Sequence, residues 1–315
     1  MYEQLQADFR DLRLYARNLT DLKDTRIRHE NRIYADVCLD LEEPLGKTHP
    51  IYLDALIGAD YTVTDTEVVS LIDADFTDDD ERKRIRKSLK SMSVYGLLCA
   101  SEKAAERMTT DAMLGVCSGP AMTEWLAISG VGPPTVARVL GEIGHPVIAF
   151  PMHWEENPDY TEGGKEDKKF LVATVQPDGE LFFERMVSQL WSYCGLGDAS
   201  RKHYKGESQQ EALAAGSKFT KSLIWNLAQP CLKLAGGPDK NGVVKPRSPY
   251  KNTYDDARAH YDLREGQPCE KCKGQPCRPI HRHNMAVRKV MKTMLRDLWV
   301  AARSDLGVAA IAEAA

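Results

Sequence analysis

The stretch Cys269-Glu-Lys-Cys272-Lys-Gly-Gln-Pro-Cys277-Arg-Pro-Ile-His281-Arg-His283 constrains the fold more than any other part of the sequence. Its thiols and imidazoles sit among Lys, Arg, Gly, Gln and Pro, so no apolar core competes for them. A zinc ion takes four such ligands at the corners of a tetrahedron, and a C-x2-C turn supplies two thiolates from one tight loop. The spacing points to Cys269, Cys272, Cys277 and His281 as ligands of a structural Zn2+, with His283 as the alternative fourth ligand and His260 as a distant candidate. Such a closed site leaves no position for water. The run leads into a helix predicted from about 282 to 303, with Val287, Val290, Met291, Met294, Leu295 and Leu298 at helical spacing as its core face. Arg288, Lys292 and Arg296, four apart, form a basic stripe beside that face, read as a solvated surface or a phosphate rail.

The remaining cysteines, Cys38, Cys99, Cys117, Cys194 and Cys231, are scattered singly, which fits small buried hydrophobes in a reducing compartment rather than a disulfide framework. The chain has 315 residues, 43% hydrophobic and 28% charged, enough to bury real cores. A formal net charge of −4 does not advertise a nucleic-acid binder, so any basic surface has to be local. No apolar run approaches the roughly 18 residues of a membrane span. The first residues do not form a signal peptide. A soluble, cytoplasmic protein with no membrane partner is the expectation.

No Gly or Pro precedes Pro44, and Leu5, Leu12 and Leu19 recur seven apart. This predicts a long amphipathic N-terminal helix whose stripe is either a homo-oligomer seam or one helix packed on its own domain. Thr77, followed by acids, reads as the N-cap of a helix from about 78 to at least 105. Gly119-Pro120 opens a compact helical segment reaching Gly144. Leu171 to Val175 and Leu181 to Phe183, joined by Pro177-Asp178-Gly179, read as a short β-hairpin. Helical patterning resumes at Glu184 to Tyr193 and at Ser217 to Leu234. The expected fold is mostly α: a helical, coiled-coil-like region over 1–114, a helical domain over 115–305, and a tail over 306–315.

Ile128-Ser-Gly130-Val-Gly132-Pro-Pro-Thr135-Val-Ala137-Arg138-Val-Leu140 has the character of a helix-hairpin-helix, placed at 120–144. Two glycines permit a tight turn, a proline suits the first turn of the second helix, and Ala137 lets the helices cross closely. The amides and dipole at the start of that helix can hold a DNA phosphate without reading a base. Gly130, Gly132, Thr135 and Arg138 are the residues such a clamp would use.

These residues, with Leu-Gly-Glu-Ile-Gly144 after them, resemble the hairpin of the IS-one-ten insertion-sequence transposases. Tyr193-Cys-Gly195-Leu196 resembles that family's Tyr-x-Gly-Leu signature. Gly216-Ser217-Lys218-Phe-Thr-Lys221 resembles its Gly-Asn-x-x-x-Arg helix start. Ala286-Val-Arg288-Lys289 through Leu298-Trp299 to Arg303 resembles its closing helix. The resemblance covers roughly 115–305 and implies a C-terminal transposase domain that binds DNA, with Lys218 and Lys221 among its contacts. The family also carries a RuvC-like nuclease domain, and residues before 115 lack its alternation of strands and acids. An active chain of this type would carry out DNA strand transfer by hydroxyl attack on a phosphodiester, and a separate nuclease subunit or a guide RNA could be a further partner. The family's nucleophilic serine sits in a Ser-Gly pair, which is missing from the corresponding stretch. Ser200, Tyr204 and Ser208 are the nearest hydroxyls, among Arg201, Lys202, His203 and Lys205. Those cations would stabilise an oxyanion, or equally make a phosphate-binding strip with a stacking tyrosine. The competing expectation is a non-catalytic, zinc-braced DNA- or RNA-binding architectural module.

Overall fold

In the computed structural model, the described residues are 2–33, 66–75, 78–149, 152–156, 169–173, 183–197, 212, 215–238, 242–269 and 272–314. They are mostly helical. Nine helices are described: α1 (Tyr2–Ile33), α2 (Thr66–Asp75), α3 (Asp79–Val116), α4 (Pro120–Leu126), α5 (Pro133–Ile143), α6 (Val187–Tyr193), α7 (Lys218–Lys233), α8 (Pro249–Asp262) and α9 (Pro279–Ala314). Six short strands accompany them: β1 (Ile148–Ala149), β2 (Met152–Glu156), β3 (Lys169–Ala173), β4 (Phe183–Glu184), β5 (Gly237–Pro238) and β6 (Val244–Lys245). No described helix is long and apolar enough to cross a membrane.

The chain divides into two compact units, one of Leu14–Asp111 and one of Met1–Arg13 with Ala112–Ala315. In the first, Ala16 and Leu19 of α1 are buried, and Glu102 of α3 accepts from Arg26 at 2.6 Å. Asp73 of α2 pairs with Arg86 of α3 at 3.0 Å. Thr77 lies outside the described residues. Asp78 caps α3, its carboxylate accepting from the Asp80 amide at 3.0 Å. Of the leucine stripe, Leu12 and Leu19 have no exposed surface, one in each unit, so both are internal packing residues.

The second unit is built on α9. Val287, Val290, Met291, Met294, Leu295 and Leu298 are all buried, and α4, α6, α7 and α8 pack against that helix. Burying a side chain of this kind contributes about 1.5–3 kcal/mol, so this face is the largest single source of cohesion in the unit. Indole donors pin it further: Trp191 Nε1 donates to the Lys292 carbonyl at 3.0 Å, and Trp299 Nε1 to the Arg185 carbonyl at 2.9 Å. Buried Trp125 on α4 donates to the Tyr250 hydroxyl at 2.8 Å, which in turn donates to Asp297 on α9 at 3.2 Å. α9 starts at Pro279, earlier than expected, and runs through Ala314.

The strand pairing differs from the expected hairpin across Pro177-Asp178-Gly179. β3 pairs antiparallel with β2, Met152 opposite Ala173, and β4 pairs antiparallel with β1, Ile148 opposite Glu184. The chain thus runs out through β1 and β2 and returns through β3 and β4. The turn Pro177-Asp178-Gly179 itself lies outside the described residues, and the base of this excursion is fixed. The Arg185 amide donates to the Val147 carbonyl at 2.7 Å, and its guanidinium donates to the Ile143 carbonyl at 3.2 Å. Ile143 ends α5, so this buried cation sits at the negative end of a helix dipole, which compensates it in place of a carboxylate. Beside it, His145 Nδ1 accepts from the Val147 and Ile148 amides, each at 3.1 Å, and the Phe9 ring meets the imidazole edge-on.

α4 and α5 are joined by a turn in which Gly130 has φ +94, a conformation that L side chains adopt at a cost of about 1–2 kcal/mol. A methyl group there would also stand 2.8 Å from Cα of Cys231 on α7. Gly132, at the N-cap of α5, has φ −89 and open space where a Cβ would go. The expected pair of turn glycines therefore splits into one indispensable residue and one replaceable one. Gly130→Ala is expected to destabilise the protein by at least about 2 kcal/mol, and Gly132→Ala by well under half of that, read from urea-unfolding midpoints.

Burial, reinforced by Arg185, pushes the His145 pKa down from 6.5 to about 4. The unfolded chain takes up this proton first as pH falls. The stability held by neutral His145 is therefore complete above about pH 6.5 and is lost on acidification towards pH 4. The unfolding midpoint should fall more steeply across that window in the native protein than in His145→Asn, whose amide oxygen can accept the same bonds without titrating.

Candidate metal centre and the segments around it

The ligand atoms of Cys269, Cys272, Cys277 and His281 all lie within 4.8 Å of one another. The knuckle is shaped by its own backbone. The Cys272 and Gly274 amides both donate to the Cys269 carbonyl at 3.0 Å, Lys273 and Gly274 take φ values of +56 and +76, and Pro268 bridges to Pro276. The fourth donor comes from the first turn of α9. His281 Nδ1 lies 3.3, 3.5 and 3.4 Å from the sulfurs of Cys269, Cys272 and Cys277. Bonds of about 2.3 Å to sulfur and about 2.0 Å to nitrogen at tetrahedral angles would separate nitrogen and sulfur by about 3.5 Å. The residues present therefore fit a four-coordinate metal ion held through Nδ1. Burial, and then the neighbouring Cys269 and Cys272, push the Cys277 thiol up, a repulsion that a bound cation would reverse.

His283 is not part of the cluster. Its Nδ1 lies 2.7 Å from the Tyr254 hydroxyl, and its ring meets those of Tyr254 and Trp225 edge-on. His260 also lies apart, edge-on to Tyr261.

Arg282, between the two histidines, attracts no notice in the sequence. It is buried and donates in three directions: to the Cys277 carbonyl at 2.8 Å, to Asp262 at 2.7 Å and to Glu265 at 3.1 Å. Arg258 pairs with the same Asp262 at 3.0 Å and donates to the Pro279 carbonyl at 2.8 Å. This network ties the end of α8, the metal loop and the start of α9 together, and the only sequence trace of it is the Arg258–Asp262 spacing on one helix face.

The segments that carry the family resemblance are in direct contact. The Gly130 turn lies against Cys231 of α7. The Tyr193 hydroxyl donates to the Glu142 carbonyl at 3.0 Å, and the Ser217 amide donates to the Tyr193 carbonyl at 2.8 Å. A methyl group on Gly216 would stand 2.5 Å from the Gly195 nitrogen, so these two turns meet backbone to backbone. Arg288 of α9 donates to the Gly197 carbonyl at 3.0 Å.

Other candidate residues are placed as follows. Thr135 and Arg138 are half-buried on α5, and Lys218 and Lys221 are exposed on α7. Lys292 lies 4.7 Å above the Trp191 ring, and Arg296 pairs with Asp297 at 2.8 Å. Ser200, Arg201, Lys202, His203, Tyr204, Lys205 and Ser208 lie outside the described residues. The idea of a phosphate seated on the first amides of α5 meets a physical obstacle. Pro133 and Pro134 have no N–H, and the Thr135 and Val136 amides both donate to the Gly132 carbonyl. The helix dipole and the Thr135 side chain remain. α4 offers no second seat, because Asp305 of α9 already accepts from its Ala121 and Met122 amides, each at 2.9 Å.

No family model matches the chain, and no curated protein or solved structure matches it either.

Purified protein is expected to carry about one tightly held divalent metal ion per chain. Cys272→Ser and His281→Ala should abolish it, while His283→Ala should keep full stoichiometry. Arg282→Met should retain the ligands but release metal to a competing chelator roughly 10- to 100-fold more readily. Elemental analysis and chelator titration check all four.

Proposed function

We propose that the chain is a zinc-braced, non-catalytic nucleic-acid-binding module of IS-one-ten transposase type that holds the DNA backbone at the turn between α4 and α5. A thiolate-rich, closed tetrahedral donor set suits zinc in a structural role. Cys269, Cys272, Cys277 and His281 would hold the ion, which fixes the loop ahead of α9 and takes no part in a reaction. The observation that carries the reading is a series of pairwise contacts: the Gly130 turn with the end of α7, Tyr193 with the end of α5, the Gly216 turn with Gly195, and α9 with Gly197. Segments chosen from sequence alone, and far apart along it, belong to one packed unit, as parts of one binding domain would. At the hairpin, the positive end of the α5 dipole lies beside the open space a side chain on Gly132 would enter, which suits a phosphate bound without regard to base.

A second reading, DNA strand transfer by Ser200, Tyr204 or Ser208, is favoured by one feature: Gly197, which precedes their segment, is held by Arg288, a cation at its carbonyl. A covalent adduct with a suicide duplex, lost on substitution of one of these residues, would establish it over the non-catalytic reading.

Gly132→Asp separates binding from folding. The position has room for the side chain, and aspartate at the N-cap is roughly a few tenths of a kcal/mol better than glycine. The variant should unfold no earlier than the native protein, yet bind duplex DNA at least about tenfold more weakly for every sequence tried. Unchanged duplex affinity in fluorescence anisotropy would remove the hairpin as the seat.

A further inference from the structure

Several described cations of the second unit are neutralised within it. Arg247 and Lys251 pair with Asp255, Arg258 with Asp262, Arg282 with Asp262 and Glu265, Arg296 with Asp297, and Arg303 with Glu184. Arg264 just past α8, and Arg288, Lys289 and Lys292 on one face of α9, pair with no carboxylate among the described residues. Their neighbours are aromatic rings and a carbonyl. The Arg264 guanidinium lies 5.7 Å from the centre of the Tyr261 ring, Lys292 lies over Trp191, and Arg288 donates to Gly197. Leu263, between Tyr261 and Arg264, is 79% exposed, so apolar surface lies open beside the charge. Burial, and then Arg288 and Lys289, push the Lys292 pKa down, as expected of crowded cations with no anion among them.

We propose that the face formed by Tyr261, Arg264, Arg288, Lys289, Lys292 and Trp191 binds single-stranded nucleic acid, its phosphates on the cations and a base stacked on Tyr261. The inference rests on the nucleic-acid-binding reading and adds a second ligand class at a face separate from the hairpin. Interleaved cations and rings suit a single strand because unpaired bases present π-faces that a duplex keeps stacked. An acidic peptide would match the charge but gain little from the rings. With the whole chain at −4, general attraction to polyanions is weak, so binding here depends on this local cluster.

The test uses the full-length, metal-loaded protein with oligo-dT and oligo-U of about 12 nucleotides, a duplex of the same length, and polyglutamate as competitor. Single strands of one or both sugars should bind. Tyr261→Leu should weaken that binding roughly 5- to 100-fold, and Tyr261→Phe should restore it. Lys289→Gln with Lys292→Gln should lower the slope of log affinity against log salt by roughly 1 to 2. Duplex binding should survive all of these changes. Metal content and far-UV circular dichroism confirm folding of each variant, and Lys289→Gln alone, at an exposed position, keeps the test open if Tyr261→Leu misfolds. Duplex bound without single strand overturns this inference alone, and neither bound overturns the proposed function as well. Equal displacement by polyglutamate, or single-strand affinity indifferent to both Tyr261→Leu and Lys289→Gln, also overturns it.

Discussion

The apolar face of α9 is the interaction on which the second unit depends. Val287, Val290, Met291, Met294, Leu295 and Leu298 recur at the helical period, and every one is buried against helices from earlier in the chain. The polar ties make sense only once that face is packed. Trp125 and Tyr250 reach Asp297, Trp191 reaches the Lys292 carbonyl, and Asp305 reaches the start of α4 because α9 runs past all of them. The metal loop belongs to the same scheme. It stands where α9 begins, and His281 is both a ligand and part of the first helical turn.

Two buried arginines show how the fold handles charge away from water. Arg282 is compensated by Asp262 and Glu265 and donates to the metal loop. Arg185 has no such acid and relies on the Ile143 carbonyl at the end of α5 and the Ile148 carbonyl of β1. Removing either side chain would leave partners unsatisfied, which costs more than the net worth of the bonds themselves. Both therefore act as locks on geometry: Arg185 on the base of the strand excursion, Arg282 on the junction of α8, loop and α9.

What was legible in the sequence was what depends on local period and spacing. The core face of α9 could be read from its apolar residues, α7 from Ser217 as cap and the buried series to Cys231, and the thiol ligands from C-x2-C. The choice between His281 and His283 was not legible, because both fit a loop spacing. Once the helix starts at Pro279, residues two apart point about 200° away from each other, so only one can face the sulfurs. The strand partners of β3 and β4 were hidden because they lie far along the chain. Asp305 as the cap of α4 had no local trace at all. The prolines at the start of α5 were visible from the outset; their missing N–H groups matter only when the amides are counted one by one.

That the central helix follows in sequence every helix it packs against bears on how the protein comes into being. During synthesis the partners of α9 emerge first, and the surfaces of α4, α6, α7 and α8 that it will cover face water or one another until it follows. The metal site obeys the same order, since its three thiols precede the imidazole that closes it. The second unit therefore matures in one late step, in which winding of α9, completion of the ligand set and sealing of the core coincide. Until then the nascent chain depends on whatever shields exposed apolar surface at the ribosome.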